Sequence, residues 1–122
     1  MKVIKVAAVI LFGLLATNPE AQALFGIGEP PILVSQRPSV MGMGIVLTIT
    51  NASDETLHQV TVGATNHEKN EELKDVIVAV TLKPHESIHV GWMELNLNWA
   101  FVPGEDVRVG AAGYSSYVRD RI

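Results

Sequence analysis

Between Gly44 and Ala64 the chain alternates so regularly that little besides extended, paired backbone accommodates it. Ile45, Leu47 and Ile49 fall on one side of such a chain; Val46, Thr48 and Thr50 fall on the other. A polar stretch from Asn51 to Thr56 interrupts the pattern, which resumes with Val60, Val62 and Ala64. Period-two alternation of β-branched residues, broken by Asn, Ser and Asp, is a hairpin-type signal. It predicts two strands joined by a turn, with the other strands covering this pair. Leu57 is placed to plug the turn back into the core.

The flanking chain carries similar signals. Ile32 to Gln36 reads as a first strand, and Pro38 next to it points to a sheet edge. Ser39 to Gly44 is a glycine-punctuated turn. Thr65 to Glu72 is the most polar run and reads as a loop. Leu73 to Leu82 is apolar on both faces, which predicts a central strand buried on both sides or at a sheet corner. Lys83 to Glu86 is a turn preset by Pro84. Ser87 to Trp92 is a strand with Ile88, Val90 and Trp92 inward. From Met93 to Val102, the spacing of Leu95, Leu97, Trp99 and Phe101 fits a strand, while Asn96 and Asn98 fit a loop. Pro103-Gly104 is a turn, Val107 to Ala111 a strand, and the tail from Tyr114 either adds a last strand or frays. About seven short antiparallel strands with frequent turns imply an all-β, immunoglobulin-like β-sandwich.

The first 23 residues stand apart. Lys2 and Lys5 precede an apolar run from Val6 to Ala16, followed by a polar stretch ending Ala21-Gln22-Ala23. That order is the pattern of a secretory signal peptide, with cleavage expected after Ala23. The apolar run is shorter than the ~20 residues a spanning helix needs, so no membrane span is expected in the mature chain. The expected layout is a signal peptide (1–23), a Gly/Pro-rich lead-in (24–31) and one sandwich domain (32–122), exported to the periplasm or secreted. The chain has no cysteine. A disulfide framework and a lipid-modified cysteine are both excluded, and stability must rest on an apolar core. The mature chain is acidic, with a net charge of about −5, and carries no basic stripe of the kind that binds nucleic acid.

Three pieces resemble a known family. They are Leu47-Thr-Ile-Thr-Asn51 with the return Leu57-His-Gln-Val60, then Leu82-Lys-Pro84-His85-Glu86, then Val102-Pro103-Gly104-Glu105. Their order is similar to that of the CARDB-type (cell-adhesion-related) immunoglobulin-like modules of bacterial and archaeal extracytoplasmic proteins. The resemblance spans about residues 45 to 110. It implies an adhesion or accessory-binding module without catalysis. His85 stands where the family has glycine, and no ligand site is carried across.

The side-chain chemistry points the same way. There is no cysteine nucleophile, no Gly-x-Ser-x-Gly elbow and no phosphate loop, so no enzyme and no cofactor are expected. Acidic residues cluster only in polar loops. His85 and His89 lie four residues apart. On a helix that spacing suits two metal ligands, but on a strand it separates them by about 13 Å. With Met41 and Met43 they define an alternative reading, a periplasmic copper or zinc carrier with thioether and imidazole ligands. Asn51-Ala52-Ser53 matches a glycosylation acceptor, and reads more simply as a turn. Trp99, Phe101 and Tyr114 are the candidate partner-binding residues, because aromatics beside loops anchor proteins or stack on sugars. The leading expectation is a small exported, non-enzymatic module that contacts a protein or glycan in the cell envelope.

Overall fold

A computed structural model describes residues 28–40 and 43–122. The expected signal peptide, residues 24–27 of the lead-in and Met41 lie outside the described residues. The chain forms β1 (Ile32–Pro38), β2 (Ile45–Asn51), β3 (Leu57–Asn66), β4 (Glu71–Leu82), β5 (Ser87–Val90), β6 (Asp106–Gly110) and β7 (Val118–Arg121). No described residue is helical. One sheet has the order β1-β2-β5, the other β4-β3-β6-β7, and all pairings are antiparallel. First, second and fifth strands in one sheet, third, sixth and seventh in the other, is the immunoglobulin layout. The fourth strand extends the second sheet beside β3. The all-β sandwich of seven strands expected from the sequence is present.

The inner faces supply the core. Leu47, Ile49 and Val90 from the first sheet meet Val60, Val62, Leu82, Val107 and Val109 from the second, and Phe101 closes one end. Fully burying each Val, Leu, Ile or Phe contributes roughly 1.5–3 kcal/mol. That is how a domain without cross-links holds together.

Two assignments change. β2 and β3 do not form a hairpin. Each carries the expected alternation, but they lie in different sheets, and the polar turn arches from one sheet to the other. Their inward rows face each other across the core instead of lying side by side. β2 pairs with β1 and β5, β3 with β4 and β6. β4 is not a central strand but a sheet edge, with Ile77 and Val80 exposed to 55% and 73%. Its ladder with β3 shifts register twice, each time with an extra residue on β4. These bulges scramble the inside-outside alternation that the apolar run conceals.

The remaining differences are local. The polar loop expected at Thr65 to Glu72 shrinks to residues 67–70, because β3 and β4 run on through its ends. Leu57 and Val60, an odd three residues apart, are both buried because Gln59 takes a positive φ of 49° between them. β1 is a sheet edge, as Pro38 implied, and the tail forms β7. β5 ends at Val90, so Trp92 sits beyond the strand.

A buried amide holds the arch. Asn51 has no exposed surface. Its Nδ2 donates to the carbonyls of Glu55 (2.7 Å), Leu82 (3.0 Å) and Lys83 (3.2 Å). Its Oδ1 accepts from the backbone N–H of Ser53 (3.0 Å) and from the Ser53 hydroxyl (2.8 Å). Its own backbone N–H donates to Glu86 O, and its carbonyl accepts from His85 N–H. One residue therefore ties the β2–β3 arch to the β4–β5 turn. That burial also withdraws the Asn51-Ala52-Ser53 acceptor pattern from the surface.

Candidate partner-binding groove

The strand-free stretch between β5 and β6 helps to build an apolar concavity. After Val90 the chain turns sharply. Leu95 N–H donates to Gly91 O (3.1 Å) and Leu97 N–H to Trp92 O (2.9 Å). Glu94 Oε1 accepts the Gly91 N–H at 2.7 Å, so the turn carries its own cap. The turn buries Leu95 and turns Met93 outward. Asn96 and Leu97 both adopt positive φ, 55° and 64°. For a leucine that backbone is strained. It persists because Leu95 is held in the core and the Trp92 indole N–H donates back to Leu97 O at 3.1 Å. Of the two readings open for residues 93–102, strand or loop, the loop is the one present, with the alternation broken by the positive φ of Asn96 and Leu97. Only Phe101 makes a strand-like contact, an antiparallel bridge to Ile45.

Trp92 and Met93 then form one wall of a groove of about 530 Å³. Val46, from the outer face of β2, lies in its floor, and Val40 and Arg37 enter from the end of β1. His89 and Glu94 supply polar groups at its margin. Gly91 packs closely here: a Cβ would sit 3.1 Å from a Val46 methyl carbon, so an added methyl would have to push Val46 aside by a few tenths of an ångström. Val40 is 87% exposed and Met93 61%. Exposed apolar residues around a concave surface are the usual mark of a binding site.

The residues singled out in the sequence are dispersed. Phe101 has no exposed surface and belongs to the core, so it cannot touch a partner. Its alternation with Leu95, Leu97 and Trp99 gave no hint of this, because those spacings fit exposed and buried positions alike. Trp99 is half-buried and its indole N–H donates to Glu105 Oε1 at 3.3 Å. That carboxylate, itself buried, also accepts from Val102 N–H and from Asn66 Nδ2, so Trp99 is part of an internal brace. Tyr114 is half-buried in a separate groove of about 290 Å³, beside Tyr117 and Ser116. Burial, reinforced by the Glu55 charge, pushes its phenol above the usual tyrosine range. Trp99, Phe101 and Tyr114 thus make no common surface.

The candidate metal ligands are dispersed too. Met43 is exposed, and Met41 lies outside the described residues. His85 Nε2 contacts Asp54 Oδ1 at 2.8 Å beside the arch, while His89 Nδ1 pairs with the Thr48 hydroxyl at 3.1 Å on the sheet. Among the described residues no three His, Asp or Glu side chains converge as a metal site would require. Among the described residues there is no helix long and apolar enough to cross a membrane.

A polar ladder covers the outer face of the four-stranded sheet. The Arg108 guanidinium donates to Asp75 (2.9 Å) and Glu72 (3.2 Å), and Tyr117 O–H donates to Asp75 at 2.5 Å. The hydrogen bond to Asp75 raises the Tyr117 phenol above its ordinary value. Asp106 is held between His67 and Arg121, and the His67 hydrogen bond leads in lowering its carboxyl below the usual range. These charges are matched among themselves, and no nucleophile with an adjacent base emerges from them. The outer face of this sheet is thus polar, whereas the lining of the groove at Trp92 and Met93 is mainly apolar.

Val40, Val46 and Met93 were not singled out by sequence. The signal that marks them is the Gly91-Trp92-Met93-Glu94 sequence, a glycine followed by a self-capping acid, beside the glycine-rich Ser39 to Gly44 turn. No family model, no curated protein and no solved structure gave a significant match to this chain.

Proposed function

We propose that this chain is a small exported, non-enzymatic β-sandwich that binds a protein or glycan partner in the cell envelope, through the groove at Trp92 and Met93. The groove itself carries the reading: a concave apolar surface, with arginine, histidine and glutamate among its lining, beside the three-stranded sheet. The basic start, short apolar run and Ala21-Gln22-Ala23 of the N-terminus support export. The resemblance to CARDB-type modules supports binding without catalysis. An apolar floor supplies affinity and polar groups at the margin supply orientation.

The test compares wild type with Met93→Glu and Val40→Asp. Both positions are exposed, so the fold should tolerate either charge. Immobilised protein is presented to solubilised envelope proteins and, separately, to a panel of envelope polysaccharides. Retention of a discrete species by wild type, lost in both variants, supports the proposal. Retention unchanged by both substitutions, or no retention from either source, contradicts it.

A further inference from the structure

Three of the chain's four arginines, Arg108, Arg119 and Arg121, line one groove of about 440 Å³ over β6 and β7. They gather there in a chain whose formal net charge is −4. The pairing of β6 with β7 sets Arg108 opposite Arg119 and Asp106 opposite Arg121, on one face. Like charges directly opposite are destabilising in antiparallel pairs. Two of the three arginines are compensated within the fold. Arg108 leans across Gly63, where a Cβ would lie 2.6 Å from its guanidinium, to reach Asp75 and Glu72. Arg121 meets Asp106 at 3.0 Å, and His67 holds the same carboxylate at 2.6 Å. Arg119 has no carboxylate within ion-pair distance among the described residues. Its guanidinium lies 5.6 Å from the centroid of the Tyr117 ring, and that of Arg108 lies 6.0 Å from the same ring. The ring gives both cations a surface to rest on and neutralises neither.

We propose that this groove binds one oxyanion, a carboxylate or a phosphate, with Arg119 as its first ligand and Arg121 as its second. The two arginines are alternate residues of β7, so they share a face about 7 Å apart, a span that one oxyanion bridges. Arg121 spends Nε and Nη2 on Asp106, which leaves its Nη1 to donate elsewhere. Arg119 keeps its whole fork, which meets a carboxylate or a phosphate in two parallel bonds. Thr65, opposite Asp106 on β3, adds a hydroxyl to the lining. Two carboxylates also line the groove. Asp106 is engaged by His67 and Arg121, and Asp120 stands opposite Val107, in the row that alternates with the arginines. With His67 neutral, the lining keeps one positive charge in excess, and the charge without a partner is that of Arg119. An anion there offsets the Arg108–Arg119 opposition that the fold alone leaves in place.

The test follows the arginine Nε–Hε signals by NMR as inorganic phosphate, or separately glucuronate, is added to the purified chain, with chloride adjusted to hold the ionic strength constant. At least one probe should give saturating shifts at Arg119 and Arg121, with a midpoint on the order of millimolar for a single exposed oxyanion. The probe that binds more tightly assigns the group as phosphate or carboxylate. Arg119→Gln should weaken binding about tenfold, the loss of one charge-assisted pair. Its unfolding midpoint should not fall, since the substitution removes an opposition between like charges. Lys83→Gln, on the β4–β5 turn, removes one positive charge elsewhere and should leave binding unchanged. Shifts that fail to saturate with both probes, binding that survives Arg119→Gln, or equal weakening by Lys83→Gln each overturns the proposal.

Discussion

Replacing Asn51 tests how the two sheets are joined. Asn51→Ala removes a donor shared by three carbonyls and an acceptor of two Ser53 donors, from a position with no exposed surface. A net hydrogen bond is worth about 1 kcal/mol, and a buried group left unsatisfied costs about 1–3 kcal/mol more. The Leu82 carbonyl is the group left buried without its side-chain donor. The expected loss is therefore about 3–4 kcal/mol, a large part of the stability of a domain this size. Asn51→Asp keeps the shape but replaces the donor with an oxygen facing the Glu55, Leu82 and Lys83 carbonyls. It should cost at least about 1 kcal/mol more than alanine at neutral pH, since it buries an unpaired charge. The new carboxyl should have a raised pKa in the folded state, so the aspartate variant should recover stability as pH falls and it protonates. Urea unfolding followed by the fluorescence of Trp92 and Trp99 measures each variant, with the slope checked for constancy. A loss under about 1 kcal/mol for alanine, or aspartate as well tolerated as alanine at neutral pH, would refute the keystone role.

Other expectations follow from single contacts. His85 takes a φ of 62° at the third position of the Lys83–Glu86 turn, whose Glu86 N–H donates to Lys83 O. That conformation suits glycine, and the His85–Asp54 contact is exposed and worth little. His85→Gly should stabilise the fold by about 0.5–1 kcal/mol in the same urea assay; destabilisation would contradict the turn assignment. Gly63 lies under Asp75 and Arg108, where a Cβ would fall within 2.6 Å of both side chains. Gly63→Ala should force the ladder apart and lower the unfolding midpoint, while Arg108→Ala combined with it should recover part of the loss. The chain has two tyrosines, and both phenols are raised above 10.0, Tyr114 by burial and Tyr117 by its bond to Asp75. A raised folded pKa contributes stability that is fully present below the unfolded value and lost as pH rises through the folded one. Unfolding midpoints should therefore fall as alkali titrates the tyrosines, and ultraviolet titration should show Asp75→Asn returning only Tyr117 toward its ordinary value.

The strands themselves were legible, because alternation in Leu47 to Ile49 and Val60 to Ala64 reports which side of a strand is buried. Alternation does not report the neighbour. The same rows serve a hairpin or an arch between sheets, and the deciding contacts of Asn51 reach the β4–β5 turn, about thirty residues away in sequence. β4 was misread because Val76 to Val80 is equally apolar in a buried central strand and in a bulged edge. Pro38 marked β1 as an edge through a missing backbone donor, and β4 has no such mark. The groove was hidden for a different reason. Arg37 to Val40, Val46 and His89 to Glu94 are bland separately, and only the pairing of β1 and β5 on either side of β2 brings them together. Trp99, Phe101 and Tyr114 drew notice as aromatics near turns, yet burial and internal hydrogen bonds decide their roles, and those depend on tertiary contacts.

Photo-crosslinking in the living cell tests the binding reading most directly. A benzophenone side chain is placed at Met93 in the groove, and separately at Thr61 on the outer face of the other sheet. The account predicts a discrete adduct from position 93 that is absent from position 61. No adduct at position 93, or the same adducts from both positions, would contradict it.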